Sequence, residues 1–139
     1  MGRAAGPFER GARSSGEAVG TAFFSVAWQE NWAVVTVRGE LDLASAPGLD
    51  EHVSQVVRLH VPPLVAVDLS GVEFFDSSGL NALIRAWKRV GTAGGRLVLL
   101  RPVPRIAEVL RVTGLAVRFE IRQELPASGG REGRQGEQA

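Results

Sequence analysis

Three observations in the amino-acid sequence predict an α/β fold: a mixed, mainly parallel sheet that begins with an N-terminal β-hairpin and carries packed helices. Residues 23–38 alternate with the period of a strand on both sides of a polar Gln29-Glu30-Asn31 break. Short apolar runs then take turns with segments of helical period. Pro62-Pro63 and the cluster Gly91, Gly94 and Gly95 punctuate the changeovers.

The elements follow in order. Phe24, Val26 and Trp28 alternate with Phe23, Ser25 and Ala27, and Trp32 to Arg38 completes the hairpin. Ala46, Leu49, Val53, Val56, Val57 and His60 recur at helical spacing, with Ser45 expected as N-cap and Pro47 tolerated in the first turn. Leu64 to Leu69 is almost wholly apolar, as expected for a central strand covered on both faces by helices. A second helix opens at Asp76-Ser77-Ser78-Gly79-Leu80, and Leu80, Leu83, Ile84 and Trp87 form its apolar stripe. Arg96 to Leu100 reads as a buried strand. Pro104 opens a short helix with Ile106, Val109 and Leu110 on one face, which Gly114 ends. Val117, Phe119 and Ile121 alternate as a last strand. The order β, β, α, β, α, β, α, β implies antiparallel pairing in the hairpin and mainly parallel pairing after it.

The 139 residues, 45% hydrophobic, fit one compact domain with spare chain at both ends. Residues 1–20 and 126–139 lack apolar periodicity and are expected as disordered tails around a folded unit of residues 21–125. The 16 basic and 15 acidic residues are spread along the chain and cancel to +1, which argues against direct nucleic-acid binding. No apolar run approaches the roughly 20 residues of a membrane span, and residues 1–20 lack the apolar core of a secretory signal. A cytoplasmic protein is the expectation. Zero cysteines exclude disulfides, thiol catalysis and cysteine-ligated zinc.

Catalysis finds few candidates. His52 and His60 both fall on the first helix, where His60 reads as a packing or helix-end residue. Ser77 lacks the Gly-x-Ser-x-Gly elbow of a serine hydrolase. The two histidines lie too far apart for a zincin pair, so neither a metal nor a cofactor is expected. The glycines at 91–95 follow a helix and lack a Lys-Ser/Thr ending, which makes them a turn and not a phosphate cradle. Trp28, Trp32 and Trp87 read as core or half-buried residues in preference to a base-stacking platform. Asp76-Ser77-Ser78 is different, because one helix start needs only one cap. The surplus hydroxyl is free to cap, to meet an anion or to accept a phosphoryl group.

Several ordered motifs resemble the bacterial anti-sigma factor antagonists built on the STAS domain. Gly39-Glu40-Leu41-Asp42 is similar to the family's Gly-Glu-Leu-Asp. Val67-Asp68-Leu69-Ser70-Gly71-Val72 with Phe75-Asp76-Ser77-Ser78-Gly79-Leu80 is similar to its strand and phosphorylation loop. Gly94-Gly95 and Val112-Thr113-Gly114-Leu115 fit the later pattern, and the resemblance spans roughly residues 23–121. It implies a single STAS-like domain that is no enzyme and that switches partners. The unmodified form would bind an anti-sigma factor with serine kinase activity and release the sigma factor. Phosphorylation of Ser77 would break that complex, and a serine phosphatase would restore it. Gly39, Glu40, Leu41, Asp42, Asp76, Ser77, Ser78, Gly79 and Leu80 would form the partner surface, with Asn81 and Ala82 tuning it. A STAS-type module that senses a small anion or nucleotide is the alternative.

Overall fold

The computed structural model describes residues 15–127; residues 1–14 and 128–139, most of the two expected tails, lie outside the described residues. The chain forms strands β1 (Ser15–Val19), β2 (Ala22–Gln29), β3 (Trp32–Leu41), β4 (Leu64–Phe75), β5 (Arg96–Leu100) and β6 (Glu120–Arg122). Helices α1 (Ala46–Leu59), α2 (Ser77–Thr92) and α3 (Pro104–Val112) connect the last four strands. This is the α/β domain that the periodicities predict. The strands lie side by side in sequence order, antiparallel from β1 to β3 and parallel from β3 to β6.

Sequential order fixes the layers. The three parallel crossovers step the same way along the sheet, and with the hand that such crossovers share as a rule this puts all three helices on one face, where they contribute to one core. Leu49 and Val53 of α1, Leu83 and Val90 of α2, and Ile106 and Leu110 of α3 join Val35, Val67 and Leu99 in one core. The expectation of helices on both faces of Leu64–Leu69 is therefore corrected. Trp32, Val34, Ala66, Val98 and Leu100 form a smaller cluster on the other face, with Leu64 and Leu125 against it. Arg96 stands over the Trp32 ring at 5.6 Å and forks onto Glu120. An apolar strand needs dry neighbours on both sides, and arginine stems supply them as well as a helix does.

The ends also differ from expectation. Residues 15–19 are strand and not tail: β1 pairs with β2 from Ser15↔Val26 to Val19↔Ala22. Its mostly small and polar residues hide this from periodicity, because an edge strand is held by backbone pairing. His52 helps hold it, with Nε2 3.4 Å from Glu17 Oε1. That ring stacks on Phe24 at 5.3 Å and meets the Gly48 carbonyl through Nδ1 at 2.7 Å. His60, expected as a packing or helix-end residue, is the C-cap of α1 and lies exposed beside the 39% exposed Trp28. Pro126, expected in the C-terminal tail, is buried. The last strand is only Glu120–Arg122, since Gly114 at φ +81° starts a 3-10 turn over Leu115–Val117 that leaves Val117 88% exposed.

β4 carries the feature that positions the site. Relative to β3 it gains one residue between the pairs Thr36↔Asp68 and Arg38↔Gly71, and another between Gly39↔Val72 and Glu40↔Phe74. Each bulge reverses which parity faces the helices, so the buried side runs Val65, Val67, Leu69, then Val72, then Phe75. This broken alternation explains why the strand extends beyond the expected end at Leu69. The Asp68 carboxylate anchors the first bulge by accepting from the Ser70 N–H at 3.0 Å and hydroxyl at 2.8 Å.

Burial works to raise the Asp68 carboxyl, but bonds from Ser70 and Arg101 outweigh it and hold it below its ordinary value. Glu120 is also lowered, chiefly by the Arg96 hydrogen bonds. A carboxyl lowered by folding gives stability that is fully present above its unfolded pKa and lost as pH falls through the folded value. Urea midpoints should therefore fall as pH drops below about 4, and less steeply in Glu120→Gln than in the parent; equal slopes would remove Glu120 from the acid response. Leu83→Ala, which empties a fully buried site, should cost about 2–5 kcal/mol in the same assay.

Candidate functional site

The site lies where β3 and β4 run on together past the last β5 pair, Asp68↔Leu100. Leu41 pairs with Phe75, the Asp76 N–H reaches the Leu41 carbonyl at 3.4 Å, and α2 begins at the next residue. Gly79 is buried one turn into α2, where a Cβ would overlap that same Leu41 carbonyl oxygen. Only glycine lets the helix approach so closely. The Gly39–Asp42 and Asp76–Leu80 segments, far apart in sequence, are thereby brought side by side.

Asp76 is the N-cap of α2: its Oδ1 accepts from the Ser78 N–H at 2.9 Å and the Gly79 N–H at 3.2 Å. The cap therefore uses neither serine hydroxyl. Ser77 is exposed, Ser78 is half-buried, and among the described residues neither hydroxyl makes a hydrogen bond. The carboxylate also compensates the positive end of the helix dipole.

The β3–α1 loop is tied internally. Ser45 occupies the N-cap position of α1 but makes no side-chain cap bond. Its hydroxyl instead donates to the Glu40 carbonyl at 2.6 Å and accepts from the Asp42 N–H at 2.9 Å. Asp42 Oδ1 accepts from the N–H groups of Ala44 and Ser45, an Asx-type turn. Gly39, at φ +93° with its α-carbon facing the Thr21 carbonyl, permits the bend. Glu40 receives the Thr21 hydroxyl at 2.8 Å and donates its N–H to the Thr21 carbonyl.

The expected surface residues thus divide. Glu40, Asp42, Asp76, Ser77, Ser78 and Leu80 keep solvent-accessible area. Leu41 is fully buried, a correction to its expected place on the surface, while Gly39 and Gly79 shape the backbone beneath it. Ala82 is fully buried and cannot tune a partner surface, whereas Asn81 is exposed. Residues that sequence reasoning missed are Thr21, Leu43 at 76% exposure and Phe74 at 43%. Phe74 borders a cleft of about 210 Å³ shared with Phe75, Pro104 and Arg105. Its signal was the Phe74-Phe75 pair itself, since adjacent strand residues point to opposite faces. Among the described residues no cluster of three or more His, Asp or Glu could hold a metal, and no helix is long and apolar enough to cross a membrane.

Comparison with known proteins matches residues 24–127 to the STAS domain model. The chain is 37% identical over 67 residues to the anti-sigma-F factor antagonist RsfB of Mycobacterium tuberculosis, which covers 48% of this chain and 54% of that relative. It thus spans about half the length of that protein. A crystal structure of an anti-sigma factor antagonist from Mycobacterium paratuberculosis is 30% identical with a TM-score of 0.66, over 75% of this chain and 87% of that one. The Bacillus cell fate determinant SpoIIAA in its phosphorylated form shares the fold at a TM-score of 0.56 and 19% identity, over 81% and 98% of the chains.

Asp76→Ala should cost about 1 kcal/mol, the usual worth of an N-cap. Gly79→Ala should cost more, because its methyl group meets backbone and not a side chain that can swing away. Chemical denaturation of both variants tests the order, and an Asp76→Ala more damaging than Gly79→Ala would contradict it.

Proposed function

The chain belongs to the STAS domain family of anti-sigma factor antagonists, and from that premise we propose that it is a cytoplasmic partner-switching regulator and not an enzyme. In its unphosphorylated form it binds an anti-sigma factor with serine kinase activity and so releases a sigma factor. Phosphorylation at Ser77 abolishes that binding, and a serine phosphatase reverses it. ATP belongs to the partner.

One observation carries the reading. Asp76 occupies the amides of Ser78 and Gly79, so the exposed Ser77 hydroxyl is left without a hydrogen-bond partner among the described residues at the mouth of the sheet. A hydroxyl in that position is available to an incoming γ-phosphoryl group: its oxygen attacks phosphorus, ADP leaves, and the hydroxyl proton passes to a base on the kinase. The same occupied amides weigh against the small-anion alternative, because a free anion would have to displace a covalently tethered carboxylate.

The cap also decides how the switch acts. A phosphoserine adds about −1.5 to −2 charges at pH 7, and Asp76 already takes the Ser78 and Gly79 amides, so the new charge faces outward from the exposed Ser77. The fold stays as it is and the surface changes. Glu40, Asp42 and Asp76 bring carboxylates beside Ser77, while Arg105 shares the cleft of Glu73 and Phe74; those carboxylates favour basic groups on the partner before phosphorylation. Leu43 and Phe74 add apolar contact area beside them. A dianion in the middle of such a packed contact meets desolvation cost and lost contacts. A loss of about 4 kcal/mol there corresponds to about a thousandfold in affinity.

Incubation with the cognate kinase and ATP, followed by mass-spectrometric mapping, should place one phosphate on Ser77. Ser77→Ala should bind that kinase without being modified, and Ser77→Asp should bind it about a thousandfold more weakly than the parent by calorimetry. Phosphate on another residue would overturn the site, and Ser77→Asp binding as tightly as the parent would overturn the switch.

A further inference from the structure

α2 has a second surface, remote from Ser77. Between α1 and α2 lies a groove of about 480 Å³ lined by Val57, Arg85, Lys88, Arg89, Thr92 and Ala93. Its centre is roughly 16 Å along the helix from Ser77, at about 1.5 Å per residue. Val57 and Ala93 are partly exposed and give it an apolar floor. Arg85 forks onto Asp50 through Nε and Nη2, both at 3.1 Å, which ties α2 to α1 and uses that guanidinium. Lys88 and Arg89 are exposed and make no ion pair among the described residues.

We propose that this groove docks an acidic segment of a partner protein, with apolar side chains on Val57 and Ala93 and carboxylates on Lys88 and Arg89. Charge complementarity selects the occupant. Two cations without an ion pair among the described residues, beside an apolar floor, leave charge and surface to be matched together, and an acidic amphipathic peptide matches both. A nucleic-acid backbone would match only the cations and would meet the Asp50 carboxylate at the Arg85 side of the groove. The opposite character of the two ends of α2, acidic at Ser77 and basic here, allows a partner to be read at one end and held at the other. This docking does not depend on the reading of Ser77.

The test is an amide NMR titration of the full chain with a synthetic peptide of Glu and Leu at helical spacing. The same peptide with Lys for Glu, and a duplex DNA oligonucleotide, are titrated in parallel. The acidic peptide should shift Val57, Lys88, Arg89 and Ala93 saturably and bind at least about tenfold tighter than its basic counterpart. The double variant Lys88→Glu with Arg89→Glu should weaken it by at least about the same factor. Both positions are exposed on a helix, so the fold should survive, as thermal melting would verify; Lys88→Gln with Arg89→Gln replaces the pair if it does not. Absence of saturable shifts at the groove, equal binding of the basic peptide, or tighter binding of DNA there would each overturn the proposal.

Discussion

The close approach of Gly79 to the Leu41 carbonyl is the constraint on which the rest of the site depends. It sets the first turn of α2 against the end of β3 with no side chain between them. The Asp76 N–H reaches the same carbonyl, so one oxygen serves as both hydrogen-bond acceptor and packing surface. Any residue larger than glycine would push α2 away from the sheet, and Ser77 would no longer share a surface with Glu40 and Asp42.

That contact in turn requires β4 to be long and bulged. A regular strand would keep Val65, Val67 and Leu69 inward but would send the next inward position to Gly71 and the one after to Glu73. Two inserted residues bring Val72 and Phe75 into the core instead, with Glu73 and Phe74 outside. The bulged stretch is stabilised at its base by Asp68, which holds Ser70 and is itself held by Arg101 at 2.6 Å. Bulges at the end of a strand commonly re-aim side chains toward a functional surface, and here they set both the helix start and the apolar rim beside it.

The division of labour between Asp76 and Ser77 follows from elementary helix chemistry. Unsatisfied first-turn amides attract an acceptor, and a carboxylate at the cap fills that need while its charge balances the dipole. A serine cap would do the first task but would lose its hydroxyl to it. With aspartate as cap, the neighbouring serine remains chemically available while the helix keeps its stability. Structural and regulatory roles can then be altered separately, one by the cap and the other by the hydroxyl.

By itself the sequence determined the alternation of elements, the hairpin break within Gln29-Glu30-Asn31, the helix starts at Pro104 and Asp76, and the motif that ties the chain to its family. These are local properties, set by side-chain period, proline and glycine chemistry, and the need for a cap. The tertiary structure alone decided that all helices share one face, which depends on the order of distant strands, and that β1 exists at all, since backbone pairing with β2 and not side-chain period holds it. It likewise assigned Asp76 and not a serine as the cap, and sent Ser45 to the Glu40 carbonyl. It placed Leu41 beneath the surface and exposed Phe74, because bulge parity is read only against the neighbouring strand. The physical reason is common to all of these: periodicity reports which residues want burial, whereas register and close backbone approach decide which of them receive it.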